Sequence, residues 1–203
     1  MHRAVTKWTH RLLAIALFAW PRLSPGAPLR ADTSASQLVI HTGRNGIFSA
    51  LSHDHQFTPA RWQAVVDFDP ARPQEIRVDV RIDAASLHDH VARLGQKSRD
   101  EVDRKTAGPQ VLDSERFRDV TFHGESASAR DEGAGLRGVL HGALSLHGMT
   151  RSLDVPFQAR AEGAGYRVSG SARFLQTGFG ITPYSAAGGS VGVDDEIDRK
   201  SVV

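Results

Sequence analysis

The 203-residue chain contains no cysteine. This absence excludes disulfide bonds, a cysteine nucleophile and a cysteine-linked lipid anchor. A chain of this length can bury a sizeable core without disulfides, so the absence does not identify the redox compartment. Enzyme motifs are also missing: there is no Gly-x-Ser-x-Gly sequence, and Thr177-Gly-Phe-Gly180 lacks the lysine and the helix of a phosphate-binding loop. We therefore expect a protein without catalytic activity.

The sequence also lacks a long apolar run. Its longest one in the N-terminal region, residues 12–20, is too short to cross a hydrocarbon layer of ~30 Å at ~1.5 Å per residue. Basic residues precede it, and Pro, Ser, Gly and Ala follow it. This order predicts a signal peptide over residues 1–31, cleaved after Ala31 or Ala35, and one mature domain over residues 36–203. An uncleaved membrane anchor is the alternative.

A strong positive charge is absent from the predicted mature domain. The formal charge of the whole chain is +2, but residues 1–31 contain five Lys/Arg and no Asp/Glu, which leaves −3 for the remainder. Nucleic-acid binding normally requires a basic face. We therefore expect no nucleic-acid partner.

Alternation of apolar and polar residues dominates the mature chain. In residues 75–83, Ile76, Val78, Val80 and Ile82 alternate with charged residues, as in a strand with one solvated face. Similar alternation predicts strands over residues 37–42, 61–69, 75–83, 119–127, 136–147, 152–161, 166–176 and 190–203. These segments predict an all-β fold, a single eight-stranded antiparallel β-barrel, because closure leaves no unpaired edge.

One helix is predicted in the long polar loop over residues 88–109. Ser98 and Glu101 have the spacing of a capping box, which predicts that the helix begins at Ser98. Gly108-Pro109 should end it. A turn is predicted at residues 43–46, where glycines flank Arg44 and Asn45.

Two His-Asp-His triplets are present, at residues 53–55 and 88–90. In a strand, His53 and His55 would share one face and Asp54 the other. If the second triplet folded over the first, the imidazoles could bind Zn²⁺ or Cu²⁺. The alternative is that His53 and Asp54 bond to nearby backbone where the chain enters the barrel, while His88 and His90 are solvated in the long loop. We place His53, Asp54 and His55 at the barrel entrance and assign no metal ligand.

Several motifs together resemble the YceI-like polyisoprenoid-binding family over the whole mature domain. They are, in order, Ser52-His-Asp-His55, Asp67-Phe-Asp-Pro70, Ala85-Ser86-Leu87, residues 111–117 before Val120-Thr-Phe122, residues 138–150, and Phe179-Gly-Ile-Thr-Pro183. The resemblance implies a lipocalin-like barrel, export to the periplasm, and an elongated apolar ligand of the isoprenoid or isoprenoid-quinone type.

Ten inward-facing apolar residues are predicted to line the lipid site: Val66, Phe68, Val78, Val80, Phe122, Leu140, Leu144, Phe157, Val168 and Phe174. Small residues interleaved among them, such as Gly138 and Gly142, leave room for a ligand, although a barrel filled by its own side chains is the alternative. We expect a periplasmic lipid carrier with no cofactor. The sequence leaves open whether the protein contacts a membrane transiently and whether it forms a homodimer. A His-dependent metal-binding or metalloenzyme domain is the alternative function.

Overall fold

The computed structural model describes residues 29–45, 54–69, 71–91, 94–133, 135–163, 165–186 and 191–202. Most of the predicted signal peptide lies outside these ranges, and so do residues 46–53, which include His53. Within them, no helix has both the length and the apolar character needed to cross a membrane.

The described residues form antiparallel strands and one α-helix, α1 (Gln96–Ala107). The strands are β1 (Leu29–Arg30), β2 (Gln37–Asn45), β3 (His55–Pro59), β4 (Trp62–Asp67), β5 (Arg77–Asp83), β6 (Leu87–Asp89), β7 (Asp119–Asp131), β8 (Leu136–Leu146), β9 (Met149–Glu162), β10 (Gly165–Leu175), β11 (Ser185–Ala186) and β12 (Val191–Val202). Short 3-10 turns cover Pro73–Glu75, Ala84–Ser86 and Thr177–Phe179. The predicted mostly β fold with one short helix is confirmed.

Eleven strands form one curled ladder in the order β1-β4-β5-β7-β8-β9-β10-β12-β2-β3-β6, and β11 pairs with β12 outside this path. The predicted closed barrel of eight strands is wrong, because the ladder ends at β1 and β6 and forms a half-barrel. Bends explain much of the difference in strand number. Residues 60–61 separate β3 from β4, and the turn Ala84–Ser86 separates β5 from β6, so two long segments each count as two strands.

Two local predictions are also corrected. Helix α1 begins at Gln96 after Gly95 and has no side-chain cap. Ser98 lies inside its first turn, where its backbone N–H donates to the carbonyl of Gly95 (3.0 Å), so the capping box is not formed. The helix does end at Gly108, as predicted. The turn predicted at residues 43–46 is instead strand as far as Asn45, because β12 pairs with this end of β2.

The bend in the β3–β6 region is held by Ser86, which is 1% exposed. Its hydroxyl donates to the carbonyl of Asp83 (2.7 Å) and accepts the backbone N–H of Arg61 (3.1 Å). The Ser86 carbonyl accepts the N–H of Ala60 (2.8 Å). One hydroxyl therefore connects the bend at residues 60–61 with the turn Ala84–Ser86. The hairpin of β4 and β5, together with β3, then pairs with β2 through β3 and with β7 through β5.

The Asp83 carboxylate supports the same bend. It accepts the backbone N–H of Ala85 (3.1 Å) and pairs with Arg61 (2.9 Å) and, at 3.5 Å, with Arg118. Burial raises the pKa of Asp83, but hydrogen bonds from the Arg61 side chain and the Ala85 backbone outweigh it, so the pKa lies below its usual value. The carboxylate is therefore stabilised in its charged form.

Replacing Ser86 with alanine should destabilise the fold, because the partly buried Arg61 N–H loses its acceptor. We expect Ser86→Ala to lower the free energy of unfolding by about 1–3 kcal/mol. Urea denaturation measures the change. Ser171→Ala, at an exposed position of β10, is the matched control and should stay within about 0.5 kcal/mol of the parent protein. Equal effects of the two substitutions would contradict the role of Ser86.

The Asp83 interactions should depend on pH. Because the folded pKa lies below the value of ~3.9 in an unfolded chain, their stabilisation is present above about pH 5 and declines as the pH falls through the folded pKa. Asparagine keeps the acceptor for Ala85 and removes the charge. We expect Asp83→Asn to cost about 1 kcal/mol at pH 7 and progressively less in acid, measured by urea denaturation at several pH values. A pH-independent difference would exclude this explanation.

Candidate ligand-binding face

The concave face of the sheet carries rows of apolar side chains that the strand register places together. Val66 lies opposite Val78, and Val80 opposite Phe122. On strands β9 and β10, Phe157 lies opposite Gly170, and Val168 lies opposite Ala159. Directly opposed residues point to the same side of a sheet, so these rows form one continuous inner surface.

All ten residues predicted to line the lipid site lie on this inner face. Phe122, Leu140 and Leu144 are buried in the core. The other seven are only half-buried: Val66, Phe68, Val78, Val80, Phe157, Val168 and Phe174. Concave apolar side chains that retain exposure form a surface onto which a further apolar group can pack. The structure thus brings the predicted residues together but divides them into a packed set and an accessible set.

The packed set lies toward the end of the sheet that holds α1. Leu144 is 1% exposed there, and Ile82, Phe179 and Ile181 are also buried. The glycines in this part do not provide free volume. A Cβ on Gly142 would lie 2.4 Å from the His123 carbonyl oxygen and 2.7 Å from Cζ of Phe122. Gly142 therefore allows the close approach of strand β7 and the Phe122 ring, which corrects the expectation that it leaves room for a ligand.

Most of the accessible set lies toward the opposite end; Phe174 is the exception, because its ring packs edge to face on Phe179 in the packed part, with centroids 5.5 Å apart. At the opposite end, Phe68, after β4, and Tyr166, on β10, pack edge to face with ring centroids 5.3 Å apart. Strands β4 and β10 are not neighbours: four strands separate them in the order β4-β5-β7-β8-β9-β10. The contact between the two rings therefore bridges the concave face and narrows its opening at this end.

A cluster of three polar side chains, Thr42, His55 and Asp89, interrupts the apolar inner face where β2, β3 and β6 pair. Thr42 lies opposite His55, and His55 Nδ1 is 2.9 Å from Oδ2 of Asp89. The Asp89 side chain is fully buried, and that of His55 is 18% exposed. Oδ1 of Asp89 also accepts the backbone N–H groups of Val91 (3.3 Å) and Gln56 (3.4 Å). The Thr42 hydroxyl is buried and has no hydrogen-bond partner among the described residues.

This arrangement explains the two His-Asp-His triplets. Pairing of β3 with β6 does bring the second triplet beside the first. Alternation, however, turns Asp89 inward to His55, whereas His88 and His90 are exposed and contact Asp103 (2.9 Å) and Thr58 (2.5 Å). The imidazoles therefore do not converge. Across the described ranges, no group of three or more His, Asp or Glu side chains is placed to hold a metal ion.

The predicted entrance residues differ in their surroundings. The Asp54 side chain is 62% exposed and pairs with Arg44 (3.0 Å), whereas His55 lies inside the curl. His53 lies outside the described residues, so the entrance role stays a prediction. Sequence reasoning assigned no role to Thr42 and none to Asp89. The repeated triplet was the signal for Asp89, but its significance depends on the pairing of β3 with β6.

A groove of about 860 Å³ lies on the outer side of the bent hairpin. Its lining is mainly polar and includes two cross-strand ion pairs, Arg61 with Asp83 (2.9 Å) and Arg81 with Asp119 (2.5 Å). These charges neutralise each other. An apolar molecule would gain little from this groove, so the concave face is the better candidate for an apolar ligand.

Comparisons with known proteins identify a family and a fold. A family model described as "YceI-like domain" matches residues 30–200. No match was found among curated proteins. Among solved structures, Burkholderia cenocepacia BcnA is similar with a TM-score of 0.64 and 21% identity, covering 83% of this chain and 95% of its own.

Two further structures share the fold. A polyisoprenoid-binding domain from Saccharophagus degradans, implicated in plant cell wall breakdown, has a TM-score of 0.58 at 12% identity over 85% of this chain and 94% of its own. The Campylobacter jejuni YceI protein has a TM-score of 0.52 at 21% identity over 72% of this chain and 81% of its own.

Proposed function

The chain belongs to the YceI-like domain family, and on this premise we propose that it is a lipid-binding protein that holds an elongated isoprenoid-type lipid against its concave apolar face. The observation that carries the proposal is the set of inward-facing apolar side chains that stay half-buried, from Val66 and Val78 to Phe157 and Val168. A structural relative that is named as a polyisoprenoid-binding domain supports the same ligand class.

Hydrophobic burial accounts for the affinity. Each CH₂-sized unit buried contributes ~0.8 kcal/mol, so a tail of several isoprene units binds without directional contacts, although ordering of the chain offsets part of the gain. The tail lies along the accessible part of the inner face, and the Phe68–Tyr166 contact limits the opening beside it. Selectivity for tail length then follows from the shape of this surface.

The proposed role is that of a carrier or buffer in the periplasm, without catalysis and without a cofactor. The signal peptide predicted over residues 1–31 directs export. Loading and release of the lipid require transient contact with a membrane, because a long isoprenoid is insoluble in water.

The Thr42 hydroxyl and His55 are not hydrogen-bonded to each other, so the contact that a base makes with a nucleophilic hydroxyl is not formed.

Native mass spectrometry of the protein purified from its own cell envelope tests the ligand and the export together. We expect a polypeptide shortened at residue 31 or 35 and a bound apolar molecule whose mass fits an isoprenoid lipid. Organic extraction should remove that molecule. A protein that carries no lipid and takes up none from polyprenol-containing vesicles would refute the proposal.

A bulky substitution on the accessible face should weaken lipid binding without unfolding the protein. In Val168→Trp the indole fills space that about two CH₂ units of the tail would occupy, so affinity should fall about tenfold. Ser169→Trp is the matched control, because the adjacent residue points outward and is exposed. Competition binding with a fluorescent isoprenoid measures both variants. Equal losses of isoprenoid affinity in the two variants would exclude the inner face as the binding site.

A further inference from the structure

We propose that Thr42, His55 and Asp89 form a head-group site on the inner face that binds an uncharged oxygen-bearing group, a hydroxyl or a carbonyl, of the lipid. This inference rests on the proposed function and adds to it the chemistry of the polar end of the ligand. Two independent observations carry it: an unpartnered buried hydroxyl, and an imidazole oriented by a buried carboxylate.

The Thr42 hydroxyl is the first observation. Thr42 is 9% exposed, and its Oγ1 atom has no hydrogen-bond partner among the described residues. Buried hydroxyl groups are almost always hydrogen-bonded, because leaving one unpaired is costly. A hydroxyl can donate to a carbonyl or accept from another hydroxyl. Thr42 is therefore suited to either oxygen group on a ligand.

The His55–Asp89 pair is the second observation. A neutral imidazole that donates its Nδ1–H to the Asp89 carboxylate keeps Nε2 as an acceptor. Nε2 of His55 has no hydrogen-bond partner among the described residues. Because Asp89 is held by two backbone N–H groups as well, it fixes the orientation of the ring. A ligand hydroxyl can thus donate to His55 Nε2 and accept from Thr42.

The polar group adjoins the apolar face, as a head-group site must. His55 stacks on Phe57 with ring centroids 5.9 Å apart. On the other side, Thr42 lies opposite Ile197, which lies opposite Phe174. With strands ~4.8 Å apart, Thr42 lies about 10 Å from Phe174, one of the half-buried inner residues. Val168 and Phe174 lie on the same face of β10, so a tail that lies along this strand can bring its polar end toward Thr42.

The electrostatics favour an uncharged group. The Asp89 side chain is fully buried, and the Asp103 carboxylate lies beside it, where it accepts the Asp89 backbone N–H (2.8 Å). A phosphate beside these carboxylates would add like charge in a region of low dielectric, where repulsion is strong. An alcohol, a quinone or a quinol carries oxygen atoms without this penalty.

Three probes with the same isoprenoid tail test the inference: a polyprenol, the hydrocarbon that lacks its hydroxyl, and the polyprenyl phosphate. We expect the polyprenol to bind about five- to tenfold more tightly than the hydrocarbon, and the phosphate to bind more weakly than the polyprenol. Competition against a fluorescent isoprenoid gives the affinities. If none of the three binds, the proposed function fails; if all bind equally, or the phosphate binds best, the head-group site alone is refuted.

Thr42→Val is the decisive variant, because it replaces the hydroxyl with a methyl group of similar volume. We expect it to reduce the preference for polyprenol over hydrocarbon to less than half its parent value, and to leave hydrocarbon affinity unchanged. Removing an unpaired buried hydroxyl should leave the lipid-free protein as stable as the parent or more stable. Thr121→Val, on the outward side of β7, is the matched control and should change neither affinity.

His55→Asn tests the second partner. Its amide N–H can take the place of Nδ1–H toward Asp89, whereas the acceptor Nε2 is lost. We expect thermal stability close to that of the parent and the same loss of polyprenol preference as in Thr42→Val. Retention of the full preference in both folded variants would overturn the inference.

Discussion

A single buried hydroxyl, that of Ser86, holds the bend on which the curled sheet depends. It bonds to two backbone groups that are far apart in sequence, the carbonyl of Asp83 and the N–H of Arg61. The contact lies at residues 60–61, where β3 ends and β4 begins. The bend lets one hairpin pair with β2 through β3 and with β7 through β5, near the two ends of the ladder. A concave apolar face follows from that geometry.

The same bend creates the polar group on this face. Because β6 continues from the turn Ala84–Ser86 and pairs with β3, it carries Asp89 to His55. Leu87 and Asp89 then point inward, and His88 points outward, as the period of two requires. A carboxylate enters an otherwise apolar interior only with its hydrogen bonds satisfied, and here an imidazole and two backbone N–H groups satisfy them.

Sequence reasoning succeeded where structure follows from local periodicity and failed where it depends on distant contacts. Alternation placed Val78, Phe122 and Val168 on one inner face, because the direction of a side chain in a strand is fixed by its position alone. The bends could not be predicted in this way, since the Ser86 hydroxyl bonds to a residue 25 positions earlier. The capping box at Ser98 failed for a related reason: the helix begins earlier, and a backbone bond to Gly95 already uses the Ser98 N–H.

The inner face thus combines two kinds of interaction that differ in what they can distinguish. Apolar packing against residues such as Val66 and Val168 scales with the area of the tail and ignores its chemistry. Directional groups distinguish ligands because a mismatched partner leaves a buried polar atom unpaired. Thr42 has such an atom, because its buried hydroxyl has no partner among the described residues. In the proposed head-group site, a ligand oxygen would remove the cost of this unpaired atom on binding, and the penalty would become part of the affinity for one class of head group. The free energy that the unpaired Thr42 hydroxyl costs without a ligand would then equal the free energy by which the protein prefers oxygen-bearing lipids.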